Sequence, residues 1–190
     1  CELNVARAAG GEKVDHLVVL AASLDGYKNL VRLVSRSHRE PATDSAPSLT
    51  LEQIAPCGAG LVALTGCLNG VAAQHVLEFG PEKVDGLLGE LSDVFDRGAL
   101  FVELQDHGLP EQLIVNGMLS DAARRLDLPV VATNDVHFLR QEDGEALLYL
   151  DAIRKGHGIE DERAAHHGSF EMYLKSPEQM SALFADRPDA

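Results

Sequence analysis

Two residues that can bind a metal follow an apolar stretch near residue 130. Residues 130–133 (VVAT) are short, apolar and rich in β-branched side chains, which predicts a buried strand. Asp135 and His137 come directly after it, and in extended backbone residues two apart point to the same side. A carboxylate and an imidazole that converge at a strand end are common ligands of a divalent metal. A hydrogen-bonded Asp–His pair without a metal is the alternative that this pair alone leaves open.

Three further residues with metal-binding side chains stand at predicted strands. Cys67 follows the apolar residues 60–65 (GLVALT), where a thiolate would be a soft ligand. The alternative for Cys67 is a small buried hydrophobe, which is the commoner use of cysteine. His16 opens a second apolar stretch, and Glu2 lies in or at the end of a short one. On their own, these two residues would also suit a surface histidine and an exposed carboxylate.

Residues 103–107 place three polar side chains on one side of another predicted strand. Glu103, Gln105 and His107 recur with a period of two, and Asp106 faces the other side. This face either lines a pocket, in which Glu103 and His107 would bind substrate, or forms the polar face of an edge strand. The spacing leaves both interpretations open.

The elements that must position these residues are apolar strands that alternate with helices. This alternation predicts parallel βα units, and the nearly uniform apolar character of the strands predicts burial on both faces. The sequence has neither a G-x-G-x-x-G nor a P-loop signature, so a barrel is favoured over a nucleotide-binding sheet. Strands are predicted at residues 3–6, 16–22, 60–65, 99–105 and 129–134. Five strands are too few to close a barrel, which predicts that the chain is a fragment without its first strands.

Helices are predicted between the strands and after the last one. Asp25 is expected to cap the first helix, Thr50 to begin a short one, and Pro110 to begin a long helix. Ser176 is expected to open the last short helix, together with the proline that follows it. Residues 156–169 are polar and are predicted to form a loop. The remaining helices are predicted at residues 69–79, 82–95 and 142–154.

Net charge, cysteine count and hydropathy limit the kinds of partner and compartment that suit this chain. The chain of 190 residues carries 30 acidic and 16 basic side chains, a formal net charge of −14. Such a surface suits nucleic acid poorly, so any contact with DNA is expected at a local pocket or through a partner, and bound divalent cations would offset part of the charge. The odd number of cysteines, 3, favours a reducing cytoplasm over a disulfide framework. No run of 18 apolar residues exists, so no membrane span is predicted.

Several stretches resemble a known family. Residues 60–67 (GLVALTGC), 103–108 (ELQDHG), 128–137 (LPVVATNDVH) and 172–178 (MYLKSPE) are similar to the PHP (polymerase and histidinol phosphatase) domain of bacterial DNA polymerase III α subunits. The similarity covers nearly the whole chain in the expected order, and only residues 41–48 and 156–169 match loosely. It is therefore much more specific than the Asp–His pair.

The resemblance implies a fold, a metal cluster and an activity. The fold would be α/β, a partial distorted (β/α)7 TIM-like barrel of the PHP type. Up to three divalent metals, zinc or manganese, would lie at the carboxyl ends of the strands. In members that keep their ligands the site is a 3′–5′ exonuclease for proofreading, and in others it has lost ligands and only supports the polymerase. The ligands carried over to this sequence are Glu2, His16, Cys67, Asp135 and His137.

One departure concerns the start of the chain. The family begins with a His-x-His strand and further ligands that this sequence lacks, which we attribute to truncation before Cys1. Residues 1–155 would then be the PHP domain, and residues 156–190 its end and a link toward the polymerase core. The polymerase core, with its magnesium, would follow Ala190. The implied partners are DNA, reached through the parent polymerase, and other replisome subunits.

Three functions remain open from the sequence. The first is a metal-dependent proofreading nuclease within a DNA-directed DNA polymerase, and it is favoured because all five carried-over ligand types are present. The second is a degenerate or metal-binding scaffold that only stabilises the polymerase. The third, a free-standing PHP phosphoesterase, ranks lowest because residues 103–108 and 173–180 resemble the polymerase branch.

Overall fold

The computed structural model describes residues 1–7, 12–165, 170–187 and 190. Five strands form one mixed α/β sheet in chain order, and each was predicted at its place to within a few residues. In this described part, no helix has the length and apolar character needed to cross a bilayer. The strands are β1 (Glu2–Ala6), β2 (Val14–Ala21), β3 (Leu61–Leu64), β4 (Leu100–Gln105) and β5 (Val130–Thr133).

The directions of the strands correct the prediction of parallel βα units. β2 pairs antiparallel with both β1 and β3, whereas β3 and β4 are parallel. Only residues 7–13 connect β1 to β2, which is too short for a crossover between parallel strands. β2 therefore runs opposite to β1, β3 and β4, which share one direction.

Burial along β1 and β2 corrects a second expectation. In β2 the buried side chains alternate with partly exposed ones, and Leu17 and Val19 are buried while His16 and Val18 are only half-buried. This alternation is typical of antiparallel strands that bury one face. His16 lies on the other face of these two strands. The rest of the described chain covers that face less completely.

Two details of the helices differ from the sequence predictions. The described residues contain α1 (Leu24–Arg39), α2 (Leu51–Ile54), α3 (Val71–Phe79), α4 (Val84–Val94), α5 (Pro110–Leu126), α6 (Gly144–Lys155), α7 (Ile159–Ala165) and α8 (Pro177–Leu183), with 3-10 turns at Ala55–Cys57 and Gln141–Asp143. α7 lies in the segment predicted to be a loop, of which residues 166–169 fall outside the described part. The cap of α1 is Ser23 rather than Asp25, because the Ser23 hydroxyl accepts a hydrogen bond from the amide of Gly26 at 3.0 Å. Thr50 and Ser176 are confirmed as helix starts, each in a reciprocal capping box.

The chain divides into two compact units whose sequences interleave. The first unit comprises residues 1–104 and 115–131, and the second comprises residues 105–114 and 132–190. The boundaries fall inside β4, α5 and β5, so each of these elements begins in one unit and ends in the other. This division differs from the domain bounds predicted from the sequence, 1–155 and 156–190, which stay a prediction.

A close backbone approach fixes the start of α1 in the first unit. Gly26 lies against the carbonyl of Gly60, so that a Cβ added at Gly26 would collide with that oxygen. Gly60 itself has φ of +72°, in the region that favours glycine. Ala22 also donates to the Gly60 carbonyl at 3.0 Å. The turn before β3 is therefore held against the first turn of α1.

We expect Gly26→Ala to lower the free energy of unfolding by about 1–3 kcal/mol, because the methyl group has no room beside Gly60. Gly86→Ala is the matched control, since Gly86 lies inside α4 with nothing within 4 Å of an added Cβ. That control should raise stability by roughly 0.5–1 kcal/mol. Urea unfolding of both variants measures the difference, and equal effects would contradict the close approach.

Candidate metal centre

The first unit brings Glu2 and His16 together on one face of the sheet. In the β1–β2 register Asn4 lies opposite His16, and Glu2 lies opposite Val18. Glu2 and His16 are thus diagonal neighbours, a separation that long side chains can bridge. The distance between His16 Nδ1 and Glu2 Oε2 is 3.3 Å. The antiparallel pairing, rather than any local spacing in the sequence, creates this pair.

His16 Nδ1 is a buried nitrogen that makes no hydrogen bond to the described residues. Its 3.3 Å approach to Glu2 Oε2 lacks hydrogen-bond geometry. Buried polar atoms are almost always satisfied, so one that is not calls for an explanation such as an ion. An imidazole nitrogen that faces a carboxylate is a donor set that zinc and manganese accept.

The turn that carries Cys67 is bound to the backbone of His16. The amide of His16 donates to the carbonyl of Asn69 at 2.9 Å, and the amide of Gly70 donates to the carbonyl of Cys67 at 2.7 Å. Gly66 has φ of +87°, and a Cβ there would lie 3.0 Å from the carbonyl oxygen of His16. The structure therefore places the half-buried Cys67 in a turn that touches His16 through its backbone.

Glu103 holds the same turn from the neighbouring strand. Its carboxylate accepts a hydrogen bond from the amide of Gly66 at 2.9 Å, and its own amide donates to the hydroxyl of Thr65 at 2.9 Å. Glu103 is buried, and β4 lies between β3 and β5 in the sheet. The edge-strand alternative is therefore wrong. In this structure the Glu103 carboxylate supports the turn before Cys67, and its predicted role in binding substrate stays a prediction.

The second unit contains Asp135 and His137, and their geometry differs from the one predicted. β5 ends at Thr133, and Asp135 has φ of +44°, so the backbone there is left-handed and not extended. The two residues meet because the chain turns: His137 Nδ1 is 2.7 Å from the Asp135 carbonyl oxygen and 3.9 Å from its carboxylate. Since a carbonyl only accepts, Nδ1 is the donor in this contact, and in a neutral ring Nε2 then holds the lone pair. That tautomer is the one in which Nε2 can bind a metal.

His107, also in the second unit, has both ring nitrogens in hydrogen bonds. Gln112 Nε2 lies 3.0 Å from Nδ1, and Nε2 lies 3.2 Å from the carbonyl oxygen of Asn134. Gln112 therefore donates to Nδ1 while Nε2–H donates to Asn134. Burial lowers the pKa of His107 below its ordinary value, and the hydrogen bond to Asn134 opposes this in part. The imidazole is neutral, and its predicted part in substrate binding stays a prediction.

The candidate residues are divided between the two units. Glu2, His16, Cys67 and Glu103 belong to the first unit, and His107, Asp135 and His137 to the second. Across residues 1–7, 12–165, 170–187 and 190, no three His, Cys, Asp or Glu side chains are grouped closely enough to hold one metal. The pairs Glu2–His16 and Asp135–His137 are what the structure brings together.

Comparison with known proteins decides the family. Residues 1–107, more than half of the chain, match the family model of the PHP domain. The chain belongs to the PHP domain family. The resemblance noted in the sequence is thereby confirmed.

Curated relatives of this PHP chain are DNA polymerase III α subunits. That of Thermus aquaticus is 38% identical over 172 residues, covering 90% of this chain and 14% of the relative. That of Treponema pallidum is 34% identical over 197 residues, covering 100% of this chain and 17% of the relative. That of Escherichia coli K12 is 32% identical over 190 residues, covering 100% of this chain and 16% of the relative. The PHP chain thus spans 14% to 17% of the length of these relatives.

We expect Gly66→Ala to cost more stability than Gly98→Ala. Both glycines have left-handed backbone, with φ of +87° and +78°, so each alanine should cost about 1 kcal/mol of backbone strain. Only Gly66 is also crowded, by His16 and Gly70, whereas Gly98 has nothing within 4 Å of an added Cβ. An additional loss of about 1–3 kcal/mol is therefore expected for Gly66→Ala in urea unfolding. Equal losses would show that the turn at Cys67 is free to move.

The buried His107 predicts that stability falls as the pH falls. Its pKa is lowered in the folded chain, so below about pH 6.5 the unfolded chain takes up a proton that the folded chain does not. The contribution is fully present above the unfolded pKa and is lost as the pH falls through it toward the folded pKa. His107→Gln should therefore reduce the slope of unfolding free energy against pH between roughly pH 7 and 5. An unchanged slope, measured by urea unfolding, would contradict the neutral buried imidazole.

Proposed function

We propose that this chain is the PHP region of a bacterial DNA polymerase III α subunit, and that its metals serve a 3′–5′ exonuclease that removes mismatched primer ends. The family match and the polymerase names of the relatives support the parent protein. The observation that carries the nuclease is the buried, unsatisfied Nδ1 of His16 facing the Glu2 carboxylate at 3.3 Å. A purely structural histidine would be expected to have both nitrogens satisfied, as those of His107 are.

The donor atoms present in each unit, taken separately, suit zinc or manganese, and the family resemblance implies up to three ions. The first unit offers the Glu2 carboxylate, His16 Nδ1 and the Cys67 sulfur, and the second offers the Asp135 carboxylate and His137 Nε2. Bound divalent metals would polarise the scissile phosphate and lower the pKa of an attacking water. The protein's own part is to hold these donors: Glu103 fixes the turn before Cys67, and the bond from His137 Nδ1 to the Asp135 carbonyl leaves Nε2 available.

The sheet forms part of a distorted seven-stranded TIM-like barrel in this proposal. Support comes from β1, β3 and β4, which share one direction, and from the candidate groups Cys67 and Asp135, which follow β3 and β5. Functional groups of such barrels lie in the connections after the strands. The reversed strand β2 accounts for the distortion in the proposed barrel.

The polymerase reaction and its partners belong to the parent protein. We assign nucleotide transfer, with magnesium, to a part of that protein outside this chain, and we place the protein in the bacterial cytoplasm. DNA would reach the PHP region through the polymerase, because the net charge of −14 makes its general surface a poor site for DNA. Other replisome subunits would be further partners.

A second candidate function is a support that stabilises the polymerase without catalysis. One observation favours it: among the described residues, no three potential ligands are grouped around one point. In that case the Glu2–His16 and Asp135–His137 pairs would be remnants that hold local structure. A free-standing phosphoesterase ranks behind both, because the relatives reported above are polymerase subunits.

Asp135→Asn distinguishes the nuclease from the support. The amide keeps the shape but removes a negative charge that would hold divalent cations. Loss of a group that merely orients a ligand costs about 10–100-fold, so loss of a ligand should cost exonuclease activity at least as much. Polymerisation should be largely retained. The assay is degradation of a 3′-mismatched primer with zinc or manganese, run beside nucleotide incorporation by the same preparation of the intact protein.

Asp121→Asn is the matched control, since Asp121 is an exposed residue of α5 whose carboxylate pairs with Arg124 at 2.8 Å. It should leave both activities unchanged. Undiminished degradation by Asp135→Asn would overturn the assigned role of Asp135. Loss of both activities together would favour the support instead.

A further inference from the structure

Asn134 and His137, which lie before and after Asp135 in the chain, are both bonded to one segment, residues 171–175 of the second unit. The Asn134 side-chain amide donates to the carbonyls of Glu171 at 2.7 Å and Tyr173 at 2.6 Å. The backbone amide of His137 donates to the carbonyl of Met172 at 2.9 Å. Asp135 therefore lies between two attachment points on the same segment.

A buried lysine completes this attachment. The Lys175 side chain is 5% exposed, and its Nζ lies 3.1 Å from Asn134 Oδ1 and 3.0 Å from the Glu171 carboxylate. Nζ also lies 4.4 Å from the centre of the Tyr173 ring. A buried ammonium is costly unless its partners are complete, so this arrangement is strongly ordered by its own hydrogen bonds. Every polar atom of the Asn134 side chain is thereby committed to residues 171–175.

The backbone of Asn134 is held from the other side. Its carbonyl accepts from Nε2–H of His107 at 3.2 Å, and His107 is fixed by two contacts with Gln112, at its ring and at its backbone amide. Asn134 is thus locked through both its side chain and its backbone. These contacts also restrict the backbone of the next residue, Asp135.

The left-handed backbone of Asp135 explains why such locking is needed. A non-glycine residue in this conformation is strained and persists only where its surroundings determine it. Without the contacts of Asn134 and His137 to residues 171–175, the chain after β5 would relax toward ordinary φ values. The Asp135 carboxylate and the His137 ring would then separate.

We propose that Asn134 and Lys175 are positioning residues that preorganise Asp135 and His137 as metal ligands before any metal binds. The inference rests on the proposed metal-binding function, and it assigns to residues 171–175 a role in the site. Metal ligands need partners that fix their orientation, and the loss of such a partner typically weakens metal binding by about 10–100-fold. Lys175 acts through Asn134, so its ammonium is a structural cation here and not a ligand for phosphate.

The test uses Lys175→Met and Asn134→Asp in the intact protein. Methionine keeps the length of Lys175 but removes the charge, and aspartate turns the two donated hydrogen bonds of Asn134 into repulsion against carbonyl oxygens. Lys28→Met is the matched control, since the Lys28 side chain is 55% exposed and pairs only at the surface with Asp25. Asp135→Asn is run in parallel to test the site itself.

Two readouts separate positioning from general damage. In the metal-free protein, hydrogen exchange of the His137 amide should become faster in both variants, while the amide of Ala63, bonded to Ala99 in the first unit, keeps its protection. Binding of Mn²⁺, followed by its electron spin resonance signal, should weaken by about 10–100-fold in both variants and remain unchanged in Lys28→Met.

Each outcome bears on one of the two proposals. Unchanged exchange at His137 and unchanged Mn²⁺ binding in Lys175→Met and Asn134→Asp would overturn the positioning role. Faster exchange with unchanged Mn²⁺ binding would also overturn it, because the order of the turn would then not matter to the metal. If Asp135→Asn itself leaves Mn²⁺ binding unchanged, the proposed metal function fails, whatever the exchange data show. If the Ala63 amide loses its protection in Lys175→Met only, that variant has damaged the first unit as well. Asn134→Asp then decides the test.

Discussion

The tight turn of residues 66–70 is the constraint on which the first unit's candidate site depends. Its left-handed Gly66 donates to the buried Glu103 carboxylate, and Asn69 accepts from the amide of His16. Because β2 runs opposite to β3, the beginning of β2 lies beside the end of β3. The turn can therefore bind His16 directly, which a parallel β2 would not allow. Gly70 adds to the constraint, since a Cβ there would collide with the carbonyl of Thr65. The backbone of Cys67 is thus placed by contacts within the turn and with His16.

The second unit also contains a left-handed residue at its candidate site, but side-chain hydrogen bonds stabilise it. A glycine takes the left-handed conformation at residue 66. At residue 135 an aspartate does so, and its carboxylate is one of the candidate ligands. The conformational cost of about 1–3 kcal/mol is offset by hydrogen bonds around Asn134. Lys175 favours this one arrangement of Asn134 and Glu171, since a buried cation tolerates few arrangements of its neighbours. One unit therefore relies on backbone permissiveness and the other on a side-chain network.

The sequence predicted the positions of the strands but not their directions. Apolar β-branched runs mark a strand wherever it lies, whereas direction depends on pairing partners that are distant along the chain. The pairing of Glu2 with His16 needs the β1–β2 register, so residue spacing could not show it, and only the family resemblance linked the two. The geometry of Asp135 was predicted wrongly because extended backbone was assumed beyond the strand. The hydrogen-bond partners of Asn134 lie far along the chain, at residues 171–175, so the sequence could not show them. The helix α7 was missed because it is too short and polar to give a periodic pattern. The grouping of five ligand types was carried by the resemblance alone and stays a prediction.

The interleaving of the two units has a consequence for synthesis on the ribosome. The first unit needs residues 115–131 to be complete, whereas the second needs residues 132–190. The first unit can therefore fold while much of the second is still inside or near the ribosome. Residues 105–114 emerge early, yet their partners arrive only with residues 132–190. During that interval the end of β4 and the beginning of α5 wait for chain that is made later. The speed of translation over residues 132–190 should therefore set how long the first unit waits for the second.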